Sequence, residues 1–229
     1  MSLYLTIELL SLIVPLVLSF DKKVAYFRLW KYLLPSIFIS ALFFIVVDIW
    51  FTRLGVWGFN PEYHSGITFS GLPLEELLFF IIIPYCSIFI HYVFIAYFPE
   101  KALEKRSTVI LTWSLVAFLA LISLMNTDRL YTSFYSAYLA ILLAFTITLD
   151  PELLSKFYLS FLIILIPFFV VNGILTGSFI EGEVVWYHDS EILGLRIFTV
   201  PVEDTVYGFS MILTSLLLMN LFRNKLKKE

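Results

Sequence analysis

Seven apolar runs, each close to the length of a membrane span, take up most of the chain: 3–20, 32–51, 74–97, 107–124, 131–149, 156–175 and 201–222. A spanning helix needs about 17–25 mostly apolar residues. In lipid every backbone N–H and C=O needs a partner inside the protein, so such runs become helices. The expectation is an all-α polytopic membrane protein with seven transmembrane helices in one membrane domain, 1–229. Composition agrees, with 60% hydrophobic and 14% charged residues against about 45–50% and about 25% in soluble domains. No positive charge precedes the first run, and Lys22 and Lys23 follow it. That is the pattern of a retained helix rather than a cleaved signal peptide.

Basic residues set the orientation, because cytoplasmic segments carry the Lys/Arg excess. Twelve of the 15 fall on one side, after runs one, three, five and seven: Lys22, Lys23, Arg28 and Lys31; Lys101, Lys105 and Arg106; Lys156; Arg223, Lys225, Lys227 and Lys228. Arg53, Arg129 and Arg196 are left for the other side. The alternation predicts an N-out, C-in topology.

The chain also resembles itself. Asp48-Ile49-Trp50-Phe51-Thr52 matches Asn172-Gly173-Ile174-Leu175-Thr176 at an offset of 124, Val56-Trp57 matches Val185-Trp186 at 129, and Pro73-Leu74-Glu75-Glu76 matches Pro201-Val202-Glu203-Asp204 at 128. The step is four helices, an even number, so helices two and three run parallel to helices six and seven. A parallel repeat, with halves of about 1–106 and 107–229, places a shared site between its copies. Each proline reads as the first turn of a helix, where its missing N–H has no partner and its φ is already helical. Acids in a first turn suit the helix dipole on general grounds; their duplication at one membrane boundary points further.

A carboxyl group taken into hydrocarbon holds its proton, because burial penalises the charged form, and two neighbouring carboxyls cannot both ionise cheaply. A protonated acid beside a carboxylate can give a proton to one carbon of an apolar substrate and remove one from another. Aromatic faces such as those of Trp57 and Trp186 stabilise a nearby cation, although tryptophan is also enriched at membrane interfaces.

These motifs, with Gly55-Val56-Trp57-Gly58-Phe59-Asn60-Pro61, Val185-Trp186-Tyr187-His188 and Arg196-Ile197-Phe198-Thr199-Val200, resemble the membrane-embedded lycopene cyclases, in their single-chain form. The resemblance implies conversion of linear lycopene end groups into β-rings, through γ-carotene to β-carotene, with no cofactor and no metal. It carries the acidic positions over to Glu75, Glu76, Glu203 and Asp204. Asp48, Asn60 and Asn172 join Trp57 and Trp186 as candidates for the substrate cavity. Cyclases of fifty-carbon carotenoids share similar motifs and are an alternative. The implied surroundings are a bacterial or archaeal cytoplasmic membrane, a carotenoid drawn from the bilayer, and a phytoene synthase or a second copy of the chain as protein partners.

His64 and His188 precede the two acid pairs at comparable distances and are candidates for orienting a carboxylate. Arg196 is a candidate ion-pair partner for an acid of the second motif. Glu8, an acid inside an apolar run, is a functional candidate by default. A retinal protein needs a lysine in the seventh helix, and no Lys or Arg occurs between Arg196 and Arg223. A magnesium-dependent prenyl transferase needs aspartate-rich motifs, and a flavin enzyme needs a glycine-rich fingerprint; the sequence has neither. The net charge of −3 speaks against nucleic acid. A transporter or pigment-pathway scaffold is the non-enzymatic alternative, since duplicated acids can also form an ion path.

Overall fold

A computed structural model describes residues 1–226; Lys227 and Lys228, counted above for orientation, lie outside the described residues. Seven α-helices run through it: α1 (Leu3–Leu18), α2 (Trp30–Leu54), α3 (Leu74–Tyr97), α4 (Lys105–Met125), α5 (Leu130–Leu149), α6 (Pro151–Leu175) and α7 (Val202–Leu226). Six of them carry apolar stretches long enough to cross a membrane. The exception is α1. Its 16 residues rise only about 24 Å, short of a hydrocarbon core of about 30 Å. Beneath α1 the chain continues through a 3-10 turn, Tyr26–Leu29. Lys23, in the connection just after α1, has its Nζ 3.7 Å from the ring centroid of Tyr97 at the far end of α3, so α1 and that connection together match the length of α3; the 3-10 turn runs directly into α2.

Local chemistry explains the boundaries. Ser2 caps α1, accepting from Leu5 N–H at 3.2 Å, and Gly55 ends α2 in the left-handed region at φ 75°, where a residue without Cβ is unstrained. Asp150 accepts from Leu153 N–H at 3.0 Å, with Pro151 at the first helical position. α6 therefore starts five residues before the apolar run does. Lys156 follows α5 but lies inside the start of α6 rather than in the connection, paired with Glu152 one turn back at 2.7 Å.

The prolines of the acid motifs are also displaced from expectation. Pro73 is the residue before α3, with ψ 152°, held extended in a hairpin of β2 (Thr68–Phe69) and β3 (Leu72–Pro73). Pro201 occupies the same place in the hairpin of β5 (Arg196–Ile197) and β6 (Val200–Pro201). A ring that lacks an N–H loses nothing at that step, and each helix starts one residue later. The first helical N–H is taken by the hairpin: Leu74 N–H donates to Ile67 O at 2.8 Å and Val202 N–H to Leu195 O at 3.0 Å.

A third strand pair joins the two long loops. β1 (Trp57–Phe59) runs antiparallel to β4 (Val185–Tyr187), with a further bond at each end, Asn60 N–H to Val184 O at 2.9 Å and His188 N–H to Val56 O at 2.8 Å. Val56 N–H returns to Phe51 O at the end of α2, and Val184 N–H to Leu175 O at the end of α6. The starts of α1, α3, α5 and α7 and the ends of α2 and α6 thus meet at one end of the bundle. The buried side chains there are heavily aromatic, among them Tyr4, Phe44, Phe51, Trp57, Phe80, Tyr131 and Tyr135.

Candidate active site

Each motif splits its two acids between different jobs. The first acid turns to the hairpin loop. Glu75 accepts from Ser2 Oγ at 2.6 Å, Ser65 N–H at 2.7 Å and Ser65 Oγ at 3.2 Å. Glu203 accepts from Thr132 Oγ1 at 2.7 Å and Leu193 N–H at 2.6 Å. Both first acids therefore lock the loop residue ten positions upstream and the start of a neighbouring helix, α1 or α5.

The second acid turns to the bundle interior. Glu76 accepts from Tyr4 OH at 2.6 Å, and Asp204 accepts from Tyr131 OH at 2.7 Å and Tyr187 OH at 2.9 Å. Glu76 and Asp204 line one cavity of about 50 Å³. Asp48 of α2 and Asn172 of α6 line it too. Asp48 is buried with one oxygen unpartnered, and Asn172 donates to Phe168 O at 3.0 Å. No lysine, arginine or histidine is among the cavity-lining residues. The two ion pairs among the described residues, Lys156 with Glu152 and Arg196 with Asp189, lie elsewhere. Three acids, Glu76, Asp204 and Asp48, thus share a cavity to which the described residues supply no cation.

Aromatic rings complete the wall. Tyr131 stacks on Tyr187 at 5.8 Å and meets Trp57 edge-on at 5.0 Å, and Tyr207 closes the group with its ring 6.4 Å from that of Trp57. Burial, with the Asp204 carboxyl beside it, pushes the Tyr187 phenol well above the ordinary tyrosine value. Tyr187 therefore remains a hydrogen-bond donor at any ordinary pH.

The remaining expected residues scatter. Trp57 lines the cavity, but Trp186 does not: it is 38% exposed, and its indole packs over Gly58, where a Cβ would collide with it. The ladder explains the difference. Val56 and Val184 make matching bonds, so the structural offset is 128 rather than 129, and Trp57 corresponds to Val185. In a strand a slip of one residue moves a side chain to the opposite face. Asn60 and His188 donate their N–H groups to that ladder, while the Asn60 side chain accepts from Glu62 N–H at 3.0 Å. His64 and His188 accept from nearby loop groups, Gly66 N–H at 3.1 Å and Ser190 N–H at 3.4 Å, and neither touches the acids. Arg196 does not pair with Glu203 or Asp204. The turn between β5 and β6 directs it to Thr199 O at 2.8 Å and the exposed Asp189 at 3.9 Å. Glu8 is buried on α1, one turn below Tyr4, with both carboxyl oxygens unpartnered.

Three tyrosines escaped the sequence reading, Tyr4, Tyr131 and Tyr207, and Tyr187 entered it only within a motif, with no role of its own. The signal for two of them was present, since Leu3-Tyr4 and Leu130-Tyr131 stand 127 apart, within the 124 to 129 range of offsets of the repeat.

Bundle and cavity define a polytopic membrane protein that presents three buried carboxyl groups to an aromatic pocket, Glu76 held by one tyrosine hydroxyl and Asp204 by two. The sequence profile described as Lycopene cyclase matches residues 1–94 and 128–222. The chain belongs to the lycopene cyclase family, which makes it a membrane enzyme of carotenoid cyclisation. Neither curated proteins nor solved structures yield a match.

Proposed function

We propose that this chain closes the linear end groups of lycopene into β-ionone rings, giving γ-carotene and then β-carotene, by acid–base chemistry of Glu76 and Asp204. The observation that carries the reading is the convergence of these two acids, from separate motifs, on one cavity without a basic side chain. One carboxylic acid delivers its proton to the terminal double bond and leaves a tertiary cation. The internal double bond attacks that cation, closing the ring and moving the positive charge to a ring carbon. A carboxylate takes the neighbouring ring proton, and the β double bond forms. One proton enters and one leaves, so the reaction is an isomerisation with no redox change. Asp204 has two phenol donors and Glu76 one. Hydrogen bonds to a carboxylate favour its charged form, which supports Asp204 as base and Glu76 as donor. The rings of Trp57, Tyr131 and Tyr207 face the path of the cation, and Glu75 and Glu203 hold the helix starts.

The same reading covers the architecture. The parallel hydrogen bonds of the two hairpins, and the two profile segments beginning 127 residues apart, support a parallel repeat of α1–α3 and α5–α7. α1 with the connection that follows it then serves as the seventh span, and the Lys/Arg bias supports placing the acid motifs at the outer face.

The test is pigment analysis of a lycopene-accumulating bacterial host that expresses the chain, beside a Glu76→Gln, Asp204→Asn variant. The parent is expected to yield γ-carotene and β-carotene, and the variant to leave lycopene. Unchanged lycopene with well-inserted parent protein refutes the reading.

A further inference from the structure

The two repeats are unequal in bulk around the cavity, and the inequality lies one helical turn from the acids. Four residues after Glu76 stands Phe80; four after Asp204 stands Gly208. Four residues before Asp48 stands Phe44, and four before Asn172 stands Phe168. On the first side Phe44 and Phe80 stack at 6.5 Å, and both are 0% exposed. On the second side the glycine leaves a gap, and the Phe168 ring leans into it: a Cβ on Gly208 would lie 3.0 Å from Phe168 Cε2.

The seams between helices follow the same pattern. Phe44 of α2 and Met211 of α7 are sealed, the latter 1% exposed. Their counterparts Phe168 of α6 and Ile83 of α3 are only half-buried; Phe168, Ile83 and Met211 line the acid cavity, and Phe44 does not. Phe168 and Ile83 lie well inside membrane-length helices, so partial exposure there faces lipid or the cavity rather than bulk water. The cavity therefore meets partly exposed side chains at the seam of α3 against α6, while at the mirror seam, α7 against α2, its lining residues Asp48 and Met211 are buried and Phe44, one turn from Asp48, is fully buried as well. At about 50 Å³ the cavity holds a few waters and not the branched end of a polyene, so an element of its wall has to move.

We propose that the seam between α3 and α6 is where the linear end of the carotenoid passes from the bilayer to Glu76 and Asp204, with the Phe168 ring as its gate and Gly208 as the position that leaves the gate room to turn. The occupant follows from continuity with the acid cavity and rests on the cyclase reading. The conjugated remainder of the molecule stays in lipid along Ile83 and Phe168. With one open seam, one end is admitted at a time.

The experiment uses the full chain in detergent with lycopene, and the variants Gly208→Ala, Gly208→Leu and Gly208→Leu with Phe168→Ala. Gly208→Ala is expected to raise KM about fivefold with kcat within about twofold, because it crowds the gate and leaves the acids alone. Gly208→Leu is expected to lower the rate at limiting lycopene by at least about tenfold, and removal of the Phe168 ring to restore it to within about threefold, since overpacking is relieved by a matching cavity. Lycopene uptake, read as quenching of tryptophan emission, should follow the same order and requires no turnover. Unchanged uptake in Gly208→Leu, or a folded and inactive Gly208→Leu that Phe168→Ala does not rescue, overturns the portal. A parent chain that takes up lycopene in this order but forms no ring counts against the cyclase reading and leaves the portal standing.

Discussion

Replacing each acid by its amide separates the two jobs within each motif. Glu76→Gln and Asp204→Asn keep shape and burial and remove a proton donor or acceptor. General acid–base catalysis contributes about 10²–10⁴ in rate, so each change is expected to raise the barrier by about 2.7–5.5 kcal/mol at 1.36 kcal/mol per tenfold. Stability should hold in Glu76→Gln, where an amide oxygen still accepts from Tyr4, while Asp204→Asn gives up the charge assistance of its two phenol donors, about 1 kcal/mol each. Glu75→Gln does the reverse. Its oxygen still receives Ser2 and Ser65, but the bonds lose charge assistance, about 1 kcal/mol for each of the two short ones. A total of about 2 kcal/mol corresponds to a Tm lowered by about 4–8 °C for a chain of this length, with activity within about tenfold of the parent. Glu203→Gln, which faces Thr132 and Leu193, should behave in the same way. The assay is conversion of lycopene by detergent-solubilised protein, read by chromatography, with melting followed on the same samples. Glu75→Gln losing as much activity as Glu76→Gln at an unchanged Tm would show that the motif's acids are not divided in this way.

Three further outcomes are expected. Tyr131→Phe removes a hydrogen bond to Asp204 worth about 1.5–3 kcal/mol if that acid is charged, so turnover should fall by about ten- to a hundredfold while lycopene uptake persists. Gly58→Ala forces a Cβ into the Trp186 indole and should cost about 1–3 kcal/mol of stability, recovered when Trp186 is also changed to Ala; melting curves of the single and double variants decide it. The raised pKa of Tyr187 means that the unfolded chain ionises near pH 10 before the folded one does. Its stabilising contribution is then complete below pH 10 and lost as pH rises above it, so melting from pH 8 to 11 should show a shallower alkaline loss in Tyr187→Phe.

The helices were legible because apolar length is a strong signal and lipid allows few other forms. Their ends were less so. Asp150 and Pro151 start α6 within a polar stretch that hydropathy passes over, and Pro73 and Pro201 belong to hairpins that no sequence of two-residue strands announces. The acids stood out by charge, yet charge does not say which way a side chain points. Glu75 and Glu76 are adjacent and face opposite tasks because one is within reach of Ser65 and the other of Tyr4. The tyrosines were lost among 13 of their kind, and only the repeat offset would have picked out Tyr4 and Tyr131. Trp186 was misassigned because a match at 129 and one at 128 look alike in sequence and place a strand residue on opposite faces.

The ribbon of β1 and β4 has a consequence for how such an enzyme can be encoded. Severing the exposed segment 98–104 divides the molecule into a piece with Tyr4, Trp57 and Glu76 and a piece with Tyr131, Tyr187 and Asp204, each holding half of a cavity. The ribbon between them is made of main-chain hydrogen bonds, which depend little on which side chains the two strands carry as long as Gly58 leaves room for Trp186. Two polypeptides from separate reading frames could therefore drift apart in sequence and still dock in register, each inert alone and competent only as a pair.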